Sequence, residues 1–212
     1  MESTLPSAVL TFLGFTAYAL FHSALLTNWS RTALEAALGK RAFAGLFRLG
    51  FALQAGVLLF VYIVYVAGLP DVMWGQVGGG WGMLLWVLRI AALVFIIRCV
   101  GSFGSAEFLG WAQYRAWRSG QPIPGDGVET GELVVTGPYR YVRHPMYAAG
   151  LVALWAEPQL SANRFAFTLA ASLYLVLGSL HEERRLQRFY GSAYREYTAR
   201  TPRLVPRLWG PR

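Results

Sequence analysis

Long apolar runs dominate the pattern of hydrophobic and polar positions along this 212-residue chain. Residues 5–26 and 49–68 contain no Lys, Arg, Asp or Glu, and in residues 81–97 only Arg89 interrupts the apolar sequence. A helix needs about 20 apolar residues to cross the hydrocarbon core of a bilayer. We therefore predict three membrane-spanning helices within residues 1–100.

Two further apolar runs form a hairpin pattern in the C-terminal half. Residues 145–160 and 164–180 are apolar, and a polar turn at residues 161–163 separates them. The first of these runs is short and contains Glu157 and Pro158. The whole pattern predicts an all-α fold, a polytopic membrane bundle of about five transmembrane helices.

We expect residues 1–212 to form a single membrane domain. Its parts would be three N-terminal spans in residues 1–100, a connector in residues 101–136, and the hairpin with a C-terminal helix in residues 137–212. The first apolar run lacks the basic segment that precedes it in a cleavable signal peptide, so we expect it to be retained.

The distribution of Lys and Arg predicts an orientation in the membrane. The segments between the apolar runs differ in their content of Lys and Arg. Residues 28–48 contain four, residues 69–80 contain none, residues 98–144 contain five, and the segment after His181 contains eight. Cytoplasmic segments are rich in Lys and Arg. The pattern therefore predicts the N-terminus outside, and the connector and the C-terminus in the cytoplasm.

Composition agrees with a membrane protein and argues against several other classes. Charged residues make up 14% of the chain, against about 25% in a typical soluble protein. The net charge of +8 accompanies long apolar runs, so we expect contact with a lipid bilayer and not with nucleic acid. The single cysteine, Cys99, excludes an internal disulfide, and no HExxH or paired CxxC motif predicts a metal site.

The most informative motif is the sequence GPYRYVRHPMY at residues 137–147. Proline is favoured at the first position of a helix, so Pro145 predicts a helix that begins there. Arg143 and His144 would then lie at the amino end, where free backbone N–H groups and the helix dipole favour a carboxylate or a phosphate. The motif thus predicts a binding site.

A second polar cluster follows the last apolar run. Residues at helical spacing predict an amphipathic C-terminal helix with one aromatic face, made of Leu186, Tyr190, Ala193, Tyr194 and Tyr197. Glu182 and Glu183 precede this face, and carboxylates there oppose binding to an anionic surface. They would contact a cation or hydroxyl donors, or one of them would pair with Arg140 or Arg143.

Two other polar residues lie in apolar runs. Arg89 needs a partner or a hydrated cavity at its depth, and the sequence names neither. His22 lies near the end of the first run, where an interfacial role is more common than a role in a site.

Both motifs resemble those of the membrane-embedded methyltransferase superfamily, which includes isoprenylcysteine carboxyl methyltransferase, the phospholipid methyltransferases, and bacterial NnrU-like and methanethiol S-methyltransferase branches. The resemblance rests on residues 137–147, on EERRLQRFYGSAYREY at residues 182–197, and on Pro202 and Pro206. One departure is Ala149, where relatives usually have glycine, and Gly150 follows it.

The resemblance implies that S-adenosyl-L-methionine binds between the two motifs on the cytoplasmic side. One wall of the implied cofactor site comprises Tyr139, Arg143, His144, Pro145 and Tyr147, and the other comprises Glu182, Glu183, Tyr194 and Tyr197. The residues expected to assist the chemistry are Arg143, His144 and Tyr147.

The implied function is methyl transfer to a small or lipophilic acceptor, with a thiol or a prenylcysteine-type carboxylate favoured over a phospholipid amine. An NADPH-dependent membrane reductase and a non-catalytic NnrU-like membrane protein are the alternatives. The predominance of Arg over Lys and the shortness of the chain indicate a bacterial inner membrane, and the distribution of Lys and Arg predicts that the active site faces the cytoplasm.

Overall fold

The fold was obtained as a computed structural model, which describes residues 4–102, 104–125 and 133–206. Residues 126–132 of the predicted connector lie outside the described residues. The helices are α1 (Thr4–Ala24), α2 (Asn28–Leu38), α3 (Lys40–Ala67), α4 (Gly79–Ser102), α5 (Ser105–Leu109), α6 (Trp111–Arg118), α7 (Pro145–Trp155), α8 (Ala162–Tyr190) and α9 (Ser192–Arg200). A 3₁₀ turn covers Gly137–Arg140, and two short strands are β1 (Met73–Gln76) and β2 (Gln159–Ser161).

The prediction of an all-α membrane bundle is confirmed. Within the described residues, four helices are long and apolar enough to cross a membrane, namely α1, α3, α4 and α8. The remaining predicted span is helical only as α7, which has 11 residues. At 1.5 Å per residue α7 is about 16 Å long, roughly half of the hydrocarbon thickness.

The hairpin tip differs from the predicted polar turn at residues 161–163. Strand β2 pairs with β1, and the Val77 amide donates to the Pro158 carbonyl at 2.8 Å. Helix α8 begins at Ala162, and Asp71 holds its start: the Asn163 amide donates to Oδ1 of Asp71 at 3.0 Å, and the Ser161 hydroxyl donates to Oδ2 at 2.6 Å. The helix extends through the predicted turn because Asp71 caps it.

The chain divides into two compact units, and each receives part of α4 and of α8. One unit contains Met1–Val72, Val100–Thr130 and Ser161–Phe167. Its core includes Phe15 and Tyr62, and the Tyr62 hydroxyl donates to the Thr11 carbonyl at 3.0 Å.

The same unit joins α3 to the short helices α5 and α6. Gly110 has a φ of +86° and lies against the backbone of Arg48 and Leu49, where a side chain would collide. Nε of Arg48 donates to the Phe108 carbonyl at 2.7 Å.

In this unit His22 stacks on Tyr18 and lies 3.4 Å from Oε1 of Gln54, so its partners are neighbouring helix residues.

The other unit contains Met73–Cys99, Gly131–Leu160 and Thr168–Arg212. Here Arg89 on α4 pairs with Glu157, just after the end of α7, and its guanidinium lies 5.6 Å from the Trp86 ring centroid. This pair supplies the partner that Arg89 required.

The predicted amphipathic C-terminal helix is divided in two. Helix α8 continues to Tyr190, Gly191 adopts a φ of +58°, and α9 begins at Ser192. Glycine adopts this left-handed backbone without a steric penalty, so Gly191 allows the chain to change direction between the two helices.

Candidate active site

The amino end of α7 lies beside the polar end of α8. Pro145 occupies the first turn of α7, and His144 precedes it with a non-helical backbone. Nε2 of His144 lies 3.2 Å from Oε1 of Glu183, and Nδ1 lies 3.6 Å from Oε2 of Glu182. The imidazole is 4% exposed, so a buried ring is held between two carboxylates.

Arg143 completes this cluster and contacts the same oxygen of Glu183 as His144 does. Its Nε donates to Oε1 of Glu183 at 2.7 Å, and Nη2 lies 2.6 Å from the same oxygen. The expectation that one glutamate pairs with an arginine is met by Arg143. The other arginine considered, Arg140, is exposed. A hydrogen-bonded pair of this kind offsets the cost of partly burying two charges.

Tyr147 extends the cluster along α7. Its ring meets the His144 ring edge to face, with centroids 5.4 Å apart, and its hydroxyl hydrogen-bonds the Glu182 carboxylate. Glu182 therefore contacts both His144 and Tyr147. Its side chain is 28% exposed, which makes it the most accessible carboxylate of the cluster.

The tyrosines of α9 are buried next to the cluster. Tyr194 is 1% exposed and Tyr197 is 8% exposed. The Tyr197 hydroxyl donates to the Tyr139 carbonyl at 2.6 Å, so it binds backbone. Burial raises the pKa of Tyr197 to about 12, with the Arg143 charge opposing this shift. Burial also raises the pKa of Tyr139 and of Tyr194.

The expectation of free amide groups at this helix end is wrong for two of them. The Arg143 amide donates to the Pro202 carbonyl at 2.9 Å, and the His144 amide donates to the Arg203 carbonyl at 3.1 Å. The C-terminal segment thus already occupies these donors. Any anion at this helix end would have to use the amides of Met146 and Tyr147.

Comparison with known sequences places this cluster in a family. The sequence model described as "Phospholipid methyltransferase" matches residues 80–193, which is more than half of the chain; the match includes the first motif and residues 182–193 of the second. The chain belongs to the phospholipid methyltransferase family. The predicted superfamily resemblance is thereby confirmed.

Several individual proteins are also similar to the chain. A methanethiol S-methyltransferase of Pseudomonas deceptionensis is 32% identical over 129 residues, which are 61% of this chain and 43% of that protein. One from Mycobacterium tuberculosis is 29% identical over 157 residues, 74% of this chain and 62% of that protein. The nickel-cobalt-cadmium resistance protein NccN of Alcaligenes xylosoxydans xylosoxydans is 35% identical over 88 residues, 39% of each chain.

The chain thus spans less than two thirds of the length of the first two relatives. No solved structure matches at a significant level.

Gly150, which follows the unusual Ala149, lies close to helix α8. A Cβ placed on Gly150 would lie 3.1 Å from Cδ1 of Leu175, which is tighter than most contacts between side chains. A side chain at residue 150 would therefore require Leu175 on α8 to move by a few tenths of an ångström.

The sequence did not predict the backbone carbonyls that accept hydrogen bonds from Arg143 and His144. Nη1 of Arg143 donates to the carbonyls of Thr198 and Thr201, in addition to the Pro202 and Arg203 contacts of the neighbouring amides. Carbonyl groups occur at every residue and carry no sequence signal. The signal present was the pair of prolines at 202 and 206, which end the helix and extend the chain.

Proposed function

We propose that this chain is an integral-membrane methyltransferase that transfers a methyl group from S-adenosyl-L-methionine to a small or lipophilic acceptor. The observation that carries the proposal is the cluster of His144, Glu182 and Glu183, three residues that come from the two motifs and lie inside the family match. Its location in a bacterial inner membrane, with the site facing the cytoplasm, belongs to the same proposal.

The cluster has the chemistry that this cofactor requires. When bound, S-adenosyl-L-methionine supplies a methyl group on a positively charged sulfonium, which carboxylates and aromatic rings stabilise. Glu182 is the most exposed acid of the cluster, and Tyr147 lies beside it. We propose that Glu182 accepts from ribose hydroxyls or faces the positive charge, and that Tyr147 covers one side.

The other residues would set the positions of these two. Pro145 fixes the start of α7, and Glu183 fixes the His144 ring through Nε2. Tyr194 and Tyr197 are buried next to Arg143 and Glu183. Holding two reactants in a productive geometry can contribute about 7–11 kcal/mol to a displacement reaction. Positioning is thus the principal catalytic role that we assign to this site.

A thiol is the acceptor that the similar proteins favour, since several are named methanethiol S-methyltransferases. A thiol must lose its proton to become a strong nucleophile. We propose that Nδ1 of His144, which lies 3.6 Å from the Glu182 carboxylate, accepts that proton. A prenylcysteine-type carboxylate needs no such step, and a phospholipid amine remains the least favoured acceptor.

Calorimetric titration of the purified protein with S-adenosylhomocysteine tests the cofactor assignment. We expect saturable binding that Glu182→Gln weakens at least about tenfold, because a charge-assisted hydrogen bond is lost. Glu196→Gln is the matched control, since Glu196 is an exposed acid on α9. Binding of NADPH in place of S-adenosylhomocysteine would identify a reductase, and binding of neither would contradict the proposal.

The acceptor is tested separately by methylation assays with methanethiol, a prenylcysteine analogue and a phosphatidylethanolamine vesicle. We expect methanethiol to be methylated fastest. Preferential methylation of the lipid amine would contradict the acceptor assignment while leaving the cofactor assignment intact.

A further inference from the structure

The segment Tyr197–Arg203, here called the C-terminal strap, is hydrogen-bonded along its length to the motif that precedes α7. At one end the Tyr197 hydroxyl donates to the Tyr139 carbonyl at 2.6 Å. At the other end the carbonyls of Pro202 and Arg203 accept from the amides that precede Pro145, at 2.9 and 3.1 Å. The strap is therefore attached to the motif through both backbone and side chains.

Arg143 makes the central contacts of this attachment. Its Nη1 donates to the Thr198 carbonyl at 3.2 Å and also to the Thr201 carbonyl. Its Nε and Nη2 both face Oε1 of Glu183. A guanidinium has five N–H donors in a fixed planar fork, so at least four of them are engaged within the chain.

The hydrogen bonds that Arg143 already makes distinguish between two roles, which are binding a ligand and positioning other residues. Binding a ligand carboxylate in the strong bidentate manner needs two parallel N–H groups on one edge of the fork. One edge of Arg143 already faces Glu183, and the remaining nitrogen faces two strap carbonyls. The side chain is only 11% exposed, which leaves little surface for a ligand.

We infer that Arg143 is a positioning residue that fastens the C-terminal strap to Glu183, and that it does not bind the cofactor's carboxylate. The inference rests on the proposed function for the identity of the ligand, but the attachment itself does not depend on it. Because Glu183 also holds His144, one guanidinium sets the position of the imidazole and of the strap together.

Two ligands separate positioning from direct contact. S-adenosylhomocysteine carries an amino-acid carboxylate, and 5′-methylthioadenosine lacks it while keeping the nucleoside. We expect Arg143→Gln to reduce the affinities for both ligands by the same factor, within about twofold. A direct contact would instead produce a selective loss for S-adenosylhomocysteine of roughly 10- to 150-fold, and that result would overturn the inference.

Two control substitutions accompany this comparison. Arg143→Lys keeps a positive charge beside Glu183 but cannot donate in a fork, so we expect it to resemble Arg143→Gln and not the wild type. It also serves if Arg143→Gln does not fold. Arg140→Gln removes a nearby exposed arginine and should leave both affinities unchanged.

Limited trypsin digestion tests the attachment without any ligand. Mass spectrometry can follow cleavage after Arg200 and Arg203, which lie within the strap. We expect several-fold faster cleavage in both Arg143 variants than in the wild type or Arg140→Gln, because the released strap opens more often. Equal cleavage rates in folded protein would overturn the inference. If the wild type binds neither ligand, the proposed function fails, and the digestion alone decides the role of Arg143.

Discussion

Nε2 of His144 lies 3.2 Å from Oε1 of Glu183, although 39 residues separate them along the chain. The contact joins the residue before α7 to the polar end of α8, and Arg143 binds the same carboxylate oxygen. One carboxylate oxygen thus contacts two neighbouring side chains, the imidazole of His144 and the guanidinium of Arg143. The position of this carboxylate determines the arrangement of the whole cluster.

Glu183→Gln should therefore destabilise the protein. The substitution leaves the guanidinium of Arg143 partly buried without its countercharge, and we expect a loss of about 1.5–3 kcal/mol in the free energy of unfolding. Denaturant titration in mixed micelles measures this loss. Glu196→Gln, at an exposed position, should change the free energy by less than about 0.5 kcal/mol. Equal stability of the two variants would show that the Glu183 pair contributes nothing.

The Arg89–Glu157 pair should show strong coupling between its two partners. Each single substitution, Arg89→Leu or Glu157→Leu, leaves one charge in apolar surroundings and should cost about 1–3 kcal/mol. The double substitution removes both charges, so we expect it to cost less than the sum of the single losses. A double-mutant cycle on thermal unfolding measures this coupling. Additive losses would mean that the two charges act independently.

Gly150 and Ala149 should respond differently to substitution. A larger residue at 150 meets Leu175, and we expect Gly150→Val to cost about 1–3 kcal/mol through overpacking. Ala149→Gly should cost only about 0.5–1 kcal/mol, the difference in helix propensity. Thermal unfolding of the two variants in the same detergent measures both effects. A neutral Gly150→Val would contradict the close approach of α7 to α8.

Tyr197 should make the stability of the protein depend on pH in the alkaline range. Its pKa is about 12 in the folded state and close to 10 when unfolded, so the folded state retains the proton over this interval. The stabilisation is present below pH 10 and is lost as the pH rises towards 12. We expect Tyr197→Phe to be less stable by about 1 kcal/mol at pH 8, through loss of the hydrogen bond to Tyr139.

The difference between wild type and Tyr197→Phe should become smaller between pH 10 and 12. Unfolding curves of both proteins across this range measure it. A difference that stays constant would place the pKa of Tyr197 near its ordinary value.

The membrane-spanning helices were predictable because each needs a long apolar run, which is directly visible in the sequence. The extent of α7 was not, because composition alone does not reveal that the chain leaves the helix at Ala156 and pairs as a strand. That pairing, and the capping of α8 by Asp71, join residues about 90 positions apart. Such partners have no local sequence signal.

Both polar patches of the candidate site were also predictable, since charged residues at the end of an apolar run need partners. The role of Arg143 was not. Its partners include main-chain carbonyls of Thr198 and Thr201, which only the path of the folded chain brings to it. The types of side chain predicted which residues form the cluster. The path of the backbone determined which N–H groups of Arg143 are already hydrogen-bonded within the chain.

Photo-crosslinking with radiolabelled S-adenosyl-L-methionine tests the central claim most directly, because it reports which peptides touch the cofactor. After digestion, the account predicts label in the peptide that contains His144 and Tyr147 and in the peptide that contains Glu182 and Glu183, with excess S-adenosylhomocysteine abolishing both. Label confined to residues 4–72, or label that S-adenosylhomocysteine does not displace, would contradict a cofactor site formed by the two motifs.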